Sequence, residues 1–483
     1  MSIKNCLNEG IDKAQQGDYQ GAIATFNEVL RLEPNNVKAY YNRGLVRYDL
    51  GDDGGAIEDF DRVLGINPNC VAAYNNRGNA HRNLGAYHIA LKDFNRALEL
   101  NPNCAIIYIS RGLVHLDLAY KEAAIEDFNQ ALKLNPDFVK AYISRGVARF
   151  YMRDFAGAIA DYDRALRIDP NLAEAYNNRG MARFEVGDSK GAIEDFNRAL
   201  NIEPNLVEAY NNRGLARVEL GDSTGAIEDF KRALGMDSTM AELYYNRAFA
   251  RYSLGDKKGA VEDYNQTLGI NPNDAEAYNN RGNARALMGD SRGAIENYTQ
   301  AITINPNKAN AYYNRGLAYY SIGDHHRAIA DFDRALKLNP NYAAAYNNRG
   351  LALRDRGDIQ QALEDFNQAL RLNPNLSEAY VSRGLVRSDL GDKQGAIADF
   401  SRALQLNPKD ARAYNSRGFA RYRVGENRQA IEDFNQALLL NPNLSAAYLN
   451  RGLARFHLGD RFGGIEDINR ALHLDTNSIP VAK

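Results

Sequence analysis

The sequence has few cysteines and little net charge for its length. Its 483 residues contain three cysteines, and their formal net charge is -2. An odd, small number of cysteines in a long chain that is rich in core-forming residues argues against a disulfide scaffold and fits a reducing compartment. A balanced charge gives no general attraction to nucleic acid or to an anionic membrane. We therefore expect neither as a partner.

Long apolar segments are also missing. No stretch approaches the roughly 20 apolar residues that a membrane span requires. Residues 1–20 contain no apolar core of signal-peptide length. These absences predict a cytoplasmic protein with no membrane span.

A 34-residue repeat accounts for almost the whole chain. Fourteen units without insertion or deletion begin at residues 3, 37, 71, 105, 139, 173, 207, 241, 275, 309, 343, 377, 411 and 445. Within a unit, position 4 is Tyr in thirteen copies, position 8 is Gly in thirteen, position 20 is Ala in thirteen and position 32 is Pro in twelve. Since no Pro/Gly/Ser-rich linker interrupts them, residues 3–478 are predicted to form one continuous array, followed by a short tail, 479–483.

Each unit is predicted to be an antiparallel helical hairpin. In residues 173–206, apolar and small residues recur at helical spacing from Ala173 until Gly187, where glycine ends a first helix, A. A second such pattern starts near Ala192 and stops at Pro204, which gives a second helix, B. Small residues at positions 8, 20 and 27 let the two backbones approach, and the rings at positions 4 and 24 fill the space beside them.

These positions resemble the tetratricopeptide repeat (TPR) signature, carried here by Tyr176, Gly180, Ala192, Phe196, Ala199 and Pro204. The resemblance implies an all-α fold, an α-solenoid in which stacked antiparallel hairpins form a right-handed superhelix. It also implies that the A helices line a concave groove and that the protein is a non-enzymatic interaction scaffold. The repeat style, with Asn-Arg-Gly and Gly-Ala-Ile-Glu-Asp-Phe-Asn, resembles arrays abundant in cyanobacteria.

Two charged positions depart from the family pattern, which is usually apolar or aromatic at both. Position 7 is Arg in thirteen units and position 23 is Asp in twelve. The first unit lacks both charges, with Glu9 and Thr25, and the ninth pairs Arg281 with Asn297. We expect a bridge between helices A and B, within one unit or across the stack. Exposed surface charges are the alternative.

Position 6 is always Asn or Ser, although Asn is a poor residue for a helix interior. One interpretation is that these side chains only link neighbouring A helices or face water. The other is a ladder of amides that hydrogen-bonds the backbone of an extended peptide, similar to that of O-linked N-acetylglucosamine transferases. The candidate peptide-binding asparagines are Asn42, Asn76, Asn178, Asn212, Asn246, Asn280, Asn314, Asn348 and Asn450.

Selectivity is expected from variable positions on the same face, chiefly 2, 5, 9, 12 and 13. Position 2 is acidic over four successive units, which predicts a partner with basic residues; solvated helix faces are the alternative. These candidates are Glu174, Glu208, Glu242 and Glu276.

The sequence predicts no catalytic residue, metal or cofactor. A catalytic site would occur once, whereas the charged and polar patterns recur in unit after unit. His81 and His115 share position 11 of successive units. Stacked helices lie about 10 Å apart, too far for zinc–ligand bonds of about 2 Å.

We therefore expect a scaffold that binds extended protein or peptide segments, for example during assembly of a complex. One alternative is a substrate-recruiting accessory subunit of an enzyme system, such as a glycosyltransferase acting in trans, and another is a structural spacer. The last unit, which has Gly464, Ile468 and Thr476 where Ala, Phe and Pro recur, is expected to expose Leu472 and Leu474 and either to self-associate or to dock a partner.

Overall fold

The computed structural model describes residues 2–476, and this part of the chain contains 28 α-helices and no strand. The chain divides into two compact units, Met1–Thr239 and Met240–Lys483. The boundary lies just before the eighth repeat. Residues 477 and 478 of the last predicted repeat and the tail 479–483 are outside the described residues, and the single continuous array stays a prediction.

Each repeat contains one A helix and one B helix, as predicted. In the first unit the helices are α1 Ile3–Gln15, α2 Tyr19–Leu32, α3 Val37–Asp49, α4 Asp53–Ile66, α5 Val71–Asn83, α6 Tyr87–Leu100, α7 Ala105–Asp117, α8 Lys121–Leu134, α9 Val139–Tyr151, α10 Phe155–Ile168, α11 Ala173–Glu185, α12 Ser189–Ile202, α13 Val207–Glu219 and α14 Ser223–Met236. In the second unit they are α15 Ala241–Ser253, α16 Lys257–Ile270, α17 Ala275–Leu287, α18 Ser291–Ile304, α19 Ala309–Ser321, α20 His325–Leu338, α21 Ala343–Arg356, α22 Ile359–Leu372, α23 Ser377–Asp389, α24 Lys393–Leu406, α25 Ala411–Arg423, α26 Asn427–Leu440, α27 Ser445–His457 and α28 Arg461–Thr476.

The turn between helices A and B follows from two residues at its centre. In the sixth repeat Gly187 adopts a left-handed conformation with φ 82°, which costs glycine little. The next residue, Asp188, is the N-cap of α12, and its carboxylate accepts the N–H of Gly191 at 2.9 Å. Twelve repeats place glycine at this left-handed position, whereas the fourth and fifth place Ala119 and Arg153 there.

The core of each hairpin forms around the ring at position 24. Phe196, Ala192 and Ala199 are fully buried, as the spacing predicted. A Cβ atom added to Gly180 would lie 2.6 Å from Cε1 of Phe196, so the glycine at position 8 provides the space for that ring. The tyrosine at position 4 differs from the expectation, because Tyr176 is only partly buried and packs under a guanidinium group.

Hairpins stack in the same way within each unit. A B helix packs against the A helix of its own repeat and against the A helix of the next one. Consecutive A helices such as α11 and α13 also touch, whereas consecutive B helices do not within either unit's described residues. The A helices are therefore the closely spaced, inner side of each unit, and this side is called the groove face below.

Candidate functional site

The charged residues at positions 7 and 23 form the expected bridge. In the seventh repeat Arg213 donates from Nε to Oδ2 of Asp229 at 2.9 Å and from Nη2 to Oδ1 at 2.5 Å. Its Nη1 donates to Asn197 of the preceding B helix at 2.6 Å. Arg217, at position 11, donates to the same carboxylate at 2.6 Å. We call this group of two arginines and one aspartate the clamp, and it joins α12, α13 and α14.

The clamp is buried and structural. Asp229 is 1% exposed, and the guanidinium group of Arg213 lies 5.3 Å from the ring centre of Tyr210, within range of a cation–π contact. A bidentate arginine with a desolvated carboxylate satisfies the hydrogen bonds that burial would otherwise leave unmade. The bridge prediction is confirmed, and the surface-charge alternative is wrong for these positions.

The first and ninth repeats lack the Arg–Asp pair of positions 7 and 23. In the first, Lys13 pairs with Glu9 at 2.8 Å and donates to Thr25 at 3.1 Å. In the ninth, Arg281 donates to the neutral Asn297 at 2.6 Å, and burial lowers the pKa of Arg281. By contrast, the hydrogen bonds that Arg315 donates to Asp331 raise the pKa of Arg315 in the tenth repeat.

The histidines at position 11 take the place of the second clamp arginine. His115 Nδ1 lies 3.0 Å from Oδ2 of Asp127, and His81 Nε2 lies 4.0 Å from Asp93. Each histidine thus faces the aspartate of its own repeat. Among residues 2–476, no group of three or more His, Cys, Asp or Glu side chains is arranged to hold a metal ion.

Most of the predicted ladder asparagines link consecutive A helices. Their Nδ2 atoms donate to the position 5 side chain of the preceding repeat, 35 residues earlier. Three donate to a tyrosine hydroxyl: Asn76 to Tyr41 at 3.0 Å, Asn280 to Tyr245 at 2.9 Å and Asn348 to Tyr313 at 2.8 Å. Three donate to another amide: Asn212 to Asn177 at 3.0 Å, Asn314 to Asn279 at 3.1 Å and Asn450 to Asn415 at 3.1 Å.

These links match the interpretation that the position 6 side chains connect neighbouring A helices. Each link uses one donor of a carboxamide, which has two N–H donors and an oxygen with two acceptor sites; the second donor of Asn314 also bonds to Asn283. Peptide binding by the same amides therefore stays a prediction. Asn246, another member of the predicted set, is buried.

For two ladder asparagines, position 5 of the preceding repeat is an apolar residue, which offers no hydrogen-bond acceptor. For Asn42 this residue is Leu7, and Asn42 donates instead to the carbonyl of Lys38 in its own helix at 2.8 Å. For Asn178 this residue is Ile143, and the side chain of Asn178 forms no hydrogen bond within residues 2–476. Asn178 therefore has its full hydrogen-bonding capacity available on the groove face.

Pockets recur on the groove face between consecutive A helices. Each is lined by positions 9, 12 and 13 of one repeat and position 6 of the next, and the ring at position 24 forms its floor. Between the fifth and sixth repeats the lining residues are Val147, Phe150, Tyr151, Tyr162, Asn178 and Met181. Equivalent pockets include Phe26 with Asn42, Tyr298 with Asn314, and Phe400 with Ser416.

The floor of these pockets was not predicted. Position 24 was assigned to the hairpin core, and its ring is indeed almost fully buried, as in Tyr162. The same ring nevertheless lines the base of the pocket between neighbouring A helices. The variable residues at positions 9, 12 and 13 were the sequence signal for this surface.

The four predicted glutamates at position 2 are all exposed. Glu174 and Glu208 lie in the first unit, and Glu242 and Glu276 in the second. Glu276 forms an ion pair with Lys308, so its charge is partly neutralised. The described residues include no helix long and apolar enough to cross a membrane.

Sequence models of known families match much of the chain. Models described as "Tetratricopeptide repeat" match residues 37–70, 71–104, 105–138, 207–240, 309–342, 343–376 and 411–444. A model described as "TPR repeat" matches residues 12–51, 150–187, 180–221, 249–289, 287–323 and 387–425. A comparison with curated proteins gave no match.

Solved structures of several repeat proteins are also similar. MamA is 32% identical, and the match covers 34% of this chain and 96% of MamA with a TM-score of 0.33. The APC/C hetero-tetramer Cut9-Hcn1 is 15% identical, with 94% of this chain and 96% of that chain covered and a TM-score of 0.46. YrrB, described as a TPR protein with an unusual peptide-binding site, is 23% identical over 38% of this chain and 95% of its own, with a TM-score of 0.34. From its repeats, its stacked helical hairpins and these family models, the chain belongs to the tetratricopeptide repeat family.

Proposed function

We propose that this protein is a non-enzymatic scaffold that binds extended peptide segments along the groove face of its A helices. The recurring pocket on that face carries the proposal. Each pocket combines an aromatic floor, walls of apolar and polar side chains and a position 6 side chain, a combination that suits one peptide side chain and the adjacent peptide bond. The clamp residues are excluded as ligand contacts, because their hydrogen bonds are already used between helices.

Repetition of the pocket favours an extended ligand. Consecutive A helices lie about 10 Å apart, and an extended chain advances about 3.3 Å per residue. Successive pockets would therefore receive side chains about three residues apart. A segment that occupies several pockets gains affinity from each, so complex assembly through long extended segments is the expected use.

Site-specific photo-crosslinking tests the proposal. A benzoylphenylalanine residue replaces Met181 on the groove face or, as the matched control, Glu194 on the outer surface of α12. Peptides selected from a random 12-residue library on the full chain should crosslink at position 181 and not at position 194. Equal crosslinking at both positions, or selected peptides that crosslink at neither, would contradict peptide binding in the groove.

The accessory-subunit alternative shares the groove but differs in what binding does. A recruiting subunit would raise the modification of the proteins it binds, whereas a scaffold would change only their association. Comparing the modification of bound proteins by mass spectrometry, with and without this chain, separates the two. A spacer would select no peptide.

We also propose self-association through the last repeat, because apolar side chains of α28 are exposed. Phe462 is 84% exposed and Ile465 is 52% exposed on α28. Leu472 is exposed as expected, while Leu474 is only partly exposed. Sedimentation of the wild type and of Phe462→Ser/Ile465→Ser at micromolar concentration tests the idea, and a monomeric wild type would contradict it.

A further inference from the structure

Two consecutive A helices carry the same unusual stripe on the groove face. Positions 2, 6, 9 and 13 are Glu174, Asn178, Met181 and Glu185 in α11. The same positions in α13 are Glu208, Asn212, Leu215 and Glu219. Because the spacing i, i+4, i+7 and i+11 follows one side of a helix, each stripe has an apolar and amide centre with a carboxylate at either end.

The four carboxylates of these stripes are exposed and unneutralised. Glu174, Glu185, Glu208 and Glu219 form no ion pair within residues 2–476. The nearest arginines of the same helices are already committed to the clamps. Arg183 pairs with Asp195 at 3.0 Å and Arg217 with Asp229 at 2.6 Å. The groove over α11 and α13 is therefore acidic.

An apolar pocket adjoins this acidic surface. It lies between α9 and α11, with Tyr162 as its floor and Phe150, Tyr151 and Met181 among its lining residues. Phe150 also packs edge-on against Phe155, with ring centres 5.4 Å apart, which fixes one wall. Tyr151 is 62% exposed. A large apolar ligand side chain would be held here among aromatic rings.

The unpaired amide lies in the same place. Asn178 lines this pocket, and its carboxamide is free for a ligand because Ile143 offers no acceptor. Asn212 on the next helix already donates to Asn177. Three separate features thus converge over the fifth to seventh repeats: an apolar pocket, an uncommitted amide and a set of unneutralised carboxylates.

The charge changes on the other side of the pocket. Position 2 of α9 is Lys140, and position 13 is Tyr151. A basic ligand is therefore favoured over α11 and α13 but not over α9. This asymmetry sets the order of the apolar and the basic side chains of the ligand along the groove.

We infer that repeats five to seven bind an extended protein segment in which lysine or arginine lies about three to six residues from one large apolar side chain. This inference rests on the proposed function. The apolar side chain enters the pocket between α9 and α11, Asn178 hydrogen-bonds the adjacent backbone, and the basic side chains lie over the stripes of α11 and α13. The spacing follows from helices about 10 Å apart and about 3.3 Å per extended residue.

Fluorescence anisotropy with defined peptide pools tests this assignment on the full chain. The probe pool combines peptides that have Phe at one position and Lys three and six residues later with peptides that have the lysines three and six residues earlier, and the other positions are randomised. Matched pools replace both lysines with Glu, or Phe with Ser. The Phe/Lys pool should bind most tightly, and both replacements should weaken binding. A Glu pool that binds as well as the Lys pool would overturn the inference.

Charge variants locate the site. Converting Glu174, Glu185, Glu208 and Glu219 to Gln should weaken the Phe/Lys pool roughly tenfold, since each exposed pair contributes a fraction of a kcal/mol. The control converts Glu58, Glu126, Glu194 and Glu228, on the outer surfaces of B helices of the same unit, and should leave affinity unchanged. Equal loss in both variants would show that general charge, not the stripes, attracts the peptide.

Tyr151→Ala separates the pocket from the carboxylates and should lower affinity for the Phe pool while leaving the Ser pool unaffected. Circular dichroism confirms that each variant is folded. If library peptides crosslink at position 181 but show no preference for Phe and Lys, this inference fails and the proposed function stands. If no peptide crosslinks there, both fail.

Discussion

Arg213 and Asp229 form a bidentate ion pair between the two helices of one hairpin, with Nε···Oδ2 at 2.9 Å and Nη2···Oδ1 at 2.5 Å. The third guanidinium nitrogen reaches Asn197 of the preceding hairpin. One side chain therefore fixes both the geometry of its own repeat and the stacking on the previous one. This double use accounts for the recurrence of Arg at a position that is usually apolar or aromatic in the family.

Removing the carboxylate of a clamp should destabilise the hairpin strongly. Asp229→Ala leaves the largely buried Arg213 without a negative partner and leaves Arg217 with only Asp222, 3.7 Å away; breaking such a buried pair typically costs about 3–5 kcal/mol. Hydrogen exchange of α13 and α14 should show the loss of protection. The matched variant Arg213→Leu/Arg217→Leu/Asp229→Tyr removes all three charges and should lose less protection than Asp229→Ala. If Asp229→Ala exchanges no faster than the wild type, the clamp does not stabilise the hairpin.

Restoring a carboxylate in the ninth repeat should stabilise it. Arg281 has only the neutral Asn297 as its position 23 partner, and burial lowers its pKa. Asn297→Asp removes the hydrogen bond that Asn297 Nδ2 donates to the carbonyl of Gly293, but it provides a charged acceptor for Arg281 and for Arg285, as Asp229 does for Arg213 and Arg217. We expect a net gain of about 1 kcal/mol. Hydrogen exchange of α17 and α18 at increasing urea concentrations measures the change in stability of this repeat. Asn265→Asp, at the outer Nη1 contact of Arg281, is the exposed control and should gain less.

Glycine at the fourth turn should be stabilising. Ala119 adopts φ 61° where twelve other repeats have glycine, and a left-handed conformation costs an L-residue roughly 1–2 kcal/mol. We expect Ala119→Gly to raise the free energy of unfolding by about 1 kcal/mol, since greater freedom of the unfolded chain offsets part of the gain. Arg153→Gly should gain less, because Arg153 also lies over the ring of Phe155. A fall in thermal stability for Ala119→Gly would contradict this account.

Two asparagines of the ladder should respond differently to substitution. Asn212→Ala loses the hydrogen bond to Asn177 and should destabilise the stack by about 0.5–1.5 kcal/mol. Asn178→Ala breaks no hydrogen bond within the described residues and should leave the unfolding midpoint unchanged while weakening peptide binding. Thermal unfolding and anisotropy on the same samples compare them. Equal destabilisation by both changes would show that Asn178 has a structural role.

Alkaline pH should weaken the tenth and eleventh repeats. Burial and the neighbouring Tyr313 raise the pKa of Tyr342 to about 12, above the ordinary value of about 10. The folded state thus favours the neutral phenol, so its contribution to stability is complete below pH 10 and is lost as the pH rises towards 12. Tyr342→Phe should reduce this alkaline loss, measured by hydrogen exchange of α19 to α21. A loss identical to the wild type would place its origin in other tyrosines.

The repeat made most of the fold predictable. Because glycine and proline recur at fixed positions, residues 173–206 predicted the ends of α11 and α12 to within a few residues. The Arg–Asp bridge was also predictable, since the two charges appear and disappear together apart from Asn297. The division at Thr239 and Met240 was not, because the spacing of the repeats continues across it unchanged.

The candidate site was predictable as a surface but not in its details. The sequence shows which positions vary, and these positions line the pockets. It could not show which asparagines are used within the stack, since that depends on a residue 35 positions earlier in a different helix. Asn178 and Asn212 are the same residue at the same repeat position, yet Ile143 leaves one amide free and Asn177 engages the other.

Sequence alone thus determined the helices, their pairing and the family, because these follow from local spacing and from breakers within 34 residues. Only the tertiary structure decided where each polar group finds its partner and which core rings line a pocket between A helices. Those outcomes depend on contacts between neighbouring repeats, which local propensity does not encode. The same contacts separate the residues that build the stack from those that remain available to bind a ligand.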